Sequence, residues 1–257
     1  MLYFYYIFIF LFGLAIGSFI NCFVYRLEKQ ESFLSKSSYC PKCRHKLEWF
    51  DLIPLISFVL LKGKCRYCQK EISFRYPVVE LAVGILFVLI FLNFGISLMS
   101  IFYFFLTFFL TSIFLFDLRH FIIPDKYVFS AIFVVLIFYF IFFINNTSLF
   151  NLGVLSNLFL AAISASLFFF AIYFFSEGKA MGFGDVKLGF LLGLIFGLPK
   201  IIFLLWLAFV IGGPIAILLV FLKKKSLKSE IPLGPFLIIA SFLTIFLGDK
   251  ILSLFLF

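Results

Sequence analysis

Apolar runs long enough to cross a bilayer recur along this sequence from end to end, and no other feature constrains its fold as tightly. Hydrocarbon offers the backbone no hydrogen-bond partners, so a spanning segment must satisfy its own N–H and C=O groups, as a helix does. A core of about 30 Å takes about 20 helical residues at 1.5 Å each. Runs of this kind are read at Leu2–Tyr25, Val78–Phe94, Leu98–Phe116, Tyr127–Ile144, Val154–Phe175, Val186–Gly197, Ile201–Leu222 and Leu233–Leu247. The expectation is an all-α polytopic membrane protein with about eight transmembrane helices. Hydrophobic residues make up 65% of the chain and charged ones 13%, which excludes a soluble globular domain.

Leu2–Tyr25 lacks a basic stretch before it and a small-residue cleavage site before Arg26, so it is read as a retained first helix rather than a signal peptide. Nineteen of the 21 Lys and Arg residues fall in Arg26–Arg75, Asp117–Lys126, Ser176–Lys187 and Lys223–Lys228, leaving only Lys200 and Lys250 elsewhere. The positive-inside rule then places the N-terminus outside and these four segments in the cytoplasm. Orientation and anionic lipid account for the net charge of +9, which gives no argument for nucleic acid.

Two carboxylates stand out. Asp117 ends the apolar run Ile101–Phe116, and Asp185 sits in Gly182-Phe183-Gly184-Asp185-Val186-Lys187 before another. Acids at membrane depth are costly, so each is a functional-site candidate, and two together point to acid/base chemistry on a membrane substrate. Two close acids share a proton because both cannot ionise together, so such a pair can offer one group that takes a proton and one that gives it.

The one sizeable polar stretch, Arg26–Tyr76, carries Cys40-Pro41-Lys42-Cys43 and Cys65-Arg66-Tyr67-Cys68. Two CxxC knuckles at this spacing can close a tetrahedral Zn²⁺ site, giving a cytoplasmic zinc-binding loop between helices 1 and 2. Two disulfides or two redox-active CxxC pairs are the competing readings. A cytoplasmic position disfavours stable disulfides, and no thioredoxin-like βαβ pattern surrounds either pair. Four thiolates leave no open coordination position, so the expected role is structural. Cys22, within the first helix, is read as a packing residue.

The order Gly17-Ser18-Phe19-Ile20-Asn21, Tyr25-Arg26-Leu27, the paired knuckles flanking Trp49-Phe50-Asp51-Leu52-Ile53-Pro54, and Arg75-Tyr76-Pro77-Val78-Val79-Glu80 resembles the amino-terminal part of bacterial prepilin peptidases. Asp117 through Asp125, Gly182 through Lys187, and Ile231-Pro232-Leu233-Gly234-Pro235-Phe236 match that family's remaining signatures in order. Arg44 departs from the pattern, which has glycine after the second cysteine. The resemblance implies a GxGD-type aspartic endopeptidase that removes the leader of type IV prepilins or pseudopilins on the cytoplasmic side, with S-adenosylmethionine-dependent N-methylation of the new terminus. It places the catalytic aspartates on Asp117 and Asp185, and Gly182, Gly184, Lys187 and Asp125 in the motif and substrate-binding set. Archaeal preflagellin relatives lack the zinc loop, so the cysteines favour the bacterial branch. The domains expected are a first helix at 1–25, a zinc loop at 26–77 and a membrane protease domain at 78–257.

Plainer roles stand beside these. Asp185 would N-cap a helix beginning at Val186, and Asp125 one beginning near Tyr127. Asp117 follows a helix, where the dipole disfavours a carboxylate. Arg119 and His120 read as interfacial cations, Lys223-Lys224-Lys225 as a topology determinant, and Gly212, Gly213 and Pro214 as a kink or close contact in a helix. No Rossmann glycine motif follows a strand, so S-adenosylmethionine would bind between the loop and helix ends. Asn21, Asp51 and Glu80 are its candidates, or else close the loop onto the membrane. A zinc-stapled assembly scaffold and a proton-coupled transporter are the alternative functions. The first leaves the aspartates without a purpose, and the second should show repeat-like halves.

Overall fold

A computed structural model describes residues 2–31, 38–145, 152–179, 181–221 and 232–255. The elements are α1 (Leu2–Glu28), a 3₁₀ turn (Trp49–Leu52), α2 (Ile56–Leu60), α3 (Arg75–Phe94), α4 (Leu98–His120), α5 (Asp125–Ile144), α6 (Leu152–Phe175), α7 (Phe183–Phe196), α8 (Lys200–Phe221) and α9 (Gly234–Phe255). Extended structure among the described residues amounts to two isolated bridges, Tyr39 with Lys46 and Lys64 with Glu71. Among the described residues seven helices, α1, α3, α4, α5, α6, α8 and α9, are long and apolar enough to cross a membrane. The remaining expected span is α7, helical but only 14 residues long, or about 21 Å. Several helices overrun the apolar runs that announce them, because polar residues at an interface do not break a helix.

The chain divides into two compact units, Met1–Ser112 and Ile113–Phe257. In the first, α1 and α3 are packed through small residues: a Cβ on Gly13 would meet Gly84 Cα at 2.8 Å, and one on Gly17 would meet Glu80 Cα at 2.7 Å. Such close backbone approach gives membrane helices the van der Waals contact that a hydrophobic driving force cannot supply in lipid. Asn21 Nδ2 of α1 donates to the carbonyl of Tyr76 in the first turn of α3 at 3.1 Å, and Glu80 of α3 ties down the loop between the two helices by accepting the Leu55 N–H at 2.9 Å.

In the second unit α7 is the central helix, with ten of its 14 residues buried. It packs chiefly on α6, where Gly189 faces Phe169 and Gly193 lies against Ala161 and Ala162, and on α5. A helix apolar on every side belongs inside a bundle. Because α7 is short, its end must find partners within the protein. Asn157 of α6 supplies them, accepting the Leu198 N–H at 2.6 Å and donating to the Leu198 carbonyl at 3.2 Å. Helix α8 runs through Gly212, Gly213 and Pro214. Gly212 is where Phe236 of α9 comes close, and a Cβ on Gly213 would meet nothing within 4 Å among the described residues. The Lys223–Lys228 segment falls outside the described residues.

Candidate active site and metal centre

Asp117 and Asp185 belong to the same unit, both are buried, and their carboxylates lie within electrostatic reach of each other. Asp117 sits inside the last turn of α4 rather than after it. The dipole of α4 is unfavourable to a carboxylate there, but α9 compensates: the Gly234 N–H, one of the donors a helix leaves unpaired at its start, points at the Asp117 carboxylate. Asp185 is not the N-cap expected from the sequence. Helix α7 opens at Phe183 with Gly182 as its cap, which puts Asp185 in the first turn, its carboxylate accepting the Gly182 N–H. Each acid is therefore held by the backbone N–H of a glycine at a helix start.

Asp125 is not an N-cap either. Pro124 holds that position, and Asp125 is the first residue of α5. Its carboxylate instead pairs with Lys187 Nζ at 2.5 Å. The Lys187 ammonium also lies 5.0 Å from the centre of the Phe183 ring. The start of α5 is thus linked to the start of α7, two residues beyond Asp185. Glycine places the rest. A Cβ on Gly184 would meet Ile123 Cβ at 2.9 Å, and one on Gly234 would run into the Asp117 carboxylate and Ile123. At Gly182 the nearest described atom to such a Cβ is Gly184 N, 3.9 Å away, so among the described residues the backbone beside Asp185 stays open.

The sulfurs of Cys40, Cys43, Cys65 and Cys68 all lie within 4.8 Å of one another, and none is in a disulfide. Thiolates about 2.3 Å from a common tetrahedral ion would be about 3.8 Å apart, so the cluster fits a metal of zinc's preferences. The two knuckles repeat one design. Cys40 N–H donates to the His45 carbonyl and Cys65 N–H to that of Lys70, both at 2.9 Å, and the residue after each second cysteine is left-handed, Arg44 at φ 60° and Gln69 at φ 57°. That conformation explains why glycine suits the Arg44 position. The rings of His45 and Tyr67 join the knuckles, their centroids 3.6 Å apart.

The electrostatics also suit a cation. Burial pushes the Cys40 thiol up, but the Cys43 and Lys42 backbone and the Cys65 and Cys43 thiols outweigh it and bring it down to about 7. At Cys43 the His45 N–H favours the thiolate, yet desolvation and the Cys40 and Cys68 thiols prevail and push it up to about 11. Four such groups ionise together only around a positive ion.

Residues 11–94 match the bacterial peptidase A24 N-terminal domain, and residues 104–217 match the type IV leader peptidase family. A prepilin leader peptidase/N-methyltransferase of Stutzerimonas stutzeri is 31% identical, the match covering 93% of this chain and 89% of that protein. The protein of the same name from Vibrio cholerae is 31% identical over 96% of this chain and 99% of its own length. The one from Pseudomonas aeruginosa is 29% identical over 94% and 90%. This chain belongs to the type IV leader peptidase family. No solved structure matches it. Membership and seven apolar helices make it a multi-pass protein of the bacterial inner membrane.

In this leader peptidase family member the contacts that sequence reasoning missed are those of Ile123 and Gly234 with the site. Both lie in quoted signatures, but their contacts are tertiary. The available signal was Gly234-Pro235, since proline is tolerated in the first turn of a helix, where N–H groups are unpaired anyway. The residues considered for S-adenosylmethionine have structural partners. Asn21 joins α1 to the first turn of α3 and Glu80 holds the loop to α3, while Asp51 accepts from Arg66 Nε at 2.8 Å and from the Tyr67 hydroxyl at 3.2 Å.

Proposed function

We propose that this protein is an aspartic endopeptidase that removes the leader peptide of type IV prepilins or pseudopilins at the cytoplasmic face, with Asp117 and Asp185 as its catalytic pair. The observation that carries this reading is the juxtaposition of two buried carboxylates in one unit, each on a glycine N–H at a helix start. One carboxylate of the pair takes a proton from the attacking water while the other, protonated, polarises the scissile carbonyl. The proton gained then passes to the leaving amine. Gly182 leaves room for an extended substrate backbone beside Asp185. The names of the relatives support N-methylation of the new terminus, with S-adenosylmethionine as methyl donor. Zn²⁺ on Cys40, Cys43, Cys65 and Cys68 would be structural, locking a loop that lacks a core of its own. The N-terminus lies outside, and the labour is divided among a first helix at 1–25, the zinc loop at 26–77 and the protease domain at 78–257. A scaffold role would leave the carboxylate pair without a use.

The test is co-expression of full-length variants with a prepilin and mass spectrometry of its N-terminus. Asp117→Asn and Asp185→Asn should each abolish leader removal, and the double variant should be scarcely worse, because residues that act as a unit are not additive. Asp125→Asn should leave measurable activity. Near-normal cleavage by either single catalytic variant, at normal protein levels, would overturn the aspartic mechanism.

A further inference from the structure

The loop between α1 and α3 exposes more large apolar surface than a polar segment should. Trp49 is 75% exposed, Val59 70%, Leu60 75% and Phe74 70%. Ile56, Val59 and Leu60 fall at the i, i+3, i+4 spacing, so the single turn of α2 presents them on one face. Isolated exposed apolar residues are ordinary, but so dense a group marks an interaction surface.

Its position identifies what covers it. The Leu55 N–H at the start of α2 donates to Glu80, five residues into α3, a depth of about 7.5 Å along that helix. The Phe58 ring meets that of Phe74, the residue preceding α3, at 6.0 Å. Helix α2 is therefore held beside the first turns of a spanning helix. On α3 itself Val78, Leu81 and Ile85 are exposed along one face, the surface a spanning helix turns to lipid. The exposed charges of the same stretch are mainly basic. Lys62, Lys64, Lys70 and Arg75 are exposed, whereas Asp51 is occupied by Arg66. Exposed Trp, Phe and Leu beside Lys and Arg, at the end of a span, is the composition of a segment that lies in a membrane interface.

We propose that the segment from Trp49 to Phe74 docks on the anionic lipid leaflet at this end of α1 and α3. Ile56, Val59, Leu60, Trp49 and Phe74 enter the boundary between headgroups and acyl chains, and Lys62, Lys64 and Lys70 lie over phosphate headgroups. The metal-binding loop is then a monotopic element continuous with the lipid-facing surface of α3, and its two cysteine knuckles are held at the membrane.

The chain has two tryptophans, so Trp206→Phe leaves Trp49 as the sole reporter. A second variant, Trp49→Phe with Trp206→Phe and Leu60→Trp, reports from α2. Each full-length variant is reconstituted in vesicles of phosphatidylglycerol and phosphatidylethanolamine. Its fluorescence is quenched with lipid brominated near the headgroup, lipid brominated near the bilayer centre, or aqueous acrylamide. Both reporters should be quenched at least about twofold more by the shallow bromines than by the deep ones and be shielded from acrylamide. Replacing the anionic lipid with phosphatidylcholine should weaken the shallow quenching. Free access of acrylamide with no quenching by lipid would overturn the proposal. So would a patch that another protein covers, since it would stay open to water in these vesicles. Trp49 alone suffices if the Leu60 variant does not fold.

Discussion

Three glycines near the aspartates have different freedom to change, and the difference is measurable. Gly184 and Gly234 are pressed against Ile123 and the Asp117 carboxylate, whereas a Cβ on Gly182 would meet the described residues only at ordinary van der Waals distance, at an ordinary φ of −79°. Adding one methyl group to a packed contact costs about 1–3 kcal/mol. Gly184→Ala and Gly234→Ala should therefore each lower unfolding stability by about that amount, and Gly182→Ala by less than about 0.5 kcal/mol. Thermal unfolding of the three in one detergent checks the ordering, and equal losses would refute the packing described. A separate expectation follows from Arg44, whose left-handed backbone costs an L-residue about 1–2 kcal/mol that glycine avoids, less the glycine's own entropy. Arg44→Gly should tighten the first knuckle by up to about 1 kcal/mol, read as slower hydrogen exchange at the Cys40 and Arg44 amides.

Helix α7 and its attachments decide where Asp185 stands. The Asp125–Lys187 pair joins the first turns of α5 and α7, and the Lys187 ammonium is also stacked over Phe183. A pair this exposed adds only about 0.2–1 kcal/mol to stability, so its value lies in position. Lys187→Ala should slow leader removal more than Asp125→Ala does, since it also loses the ring contact. The double variant should match the lysine variant, because the two share one interaction. Strictly additive losses in a double-mutant cycle would show that the pair does not act as a unit. Elements were legible to different degrees. Long apolar runs announce α1, α3 to α6, α8 and α9, because lipid leaves an apolar chain no alternative to helix. The start of α7 was not legible. Gly182-Phe183-Gly184-Asp185 carries two glycines that disfavour helix by local propensity, and the packing that accompanies its helical form, Gly184 on Ile123 among it, is tertiary. The same limit hid the true partner of Asp125, since Lys187 lies far along the chain and capping is the only role visible locally.

At the scale of the whole chain, charge and chemistry together restrict the substrate. Basic residues concentrate in the segments read as cytoplasmic, 11 of them in Arg26–Arg75 alone, and the aspartates lie at the ends of α4 and α7 that adjoin other such segments. A prepilin reaching this site would bring a basic cytoplasmic leader followed by an apolar, membrane-inserted stretch. Long-range charge would repel such a leader, so attraction cannot be the source of recognition, and anionic headgroups near the loop would only moderate the repulsion. Close contact is left, and on the proposed reading an extended peptide would approach the carboxylates along the backbone at Gly182, beside the first turn of α7. Approach at that distance has room for little side chain immediately before the scissile bond. Shortening the basic leader should therefore change kcat/KM by less than about tenfold, while a Leu or Phe placed just before the bond should lower it by more than about a hundredfold, the difference between losing weak long-range terms and forcing an overlap at the reacting carbonyl. Parallel cleavage assays on the two substrate series separate the cases, and a rate governed by leader charge with no dependence on residue size would reject close backbone approach as the basis of specificity.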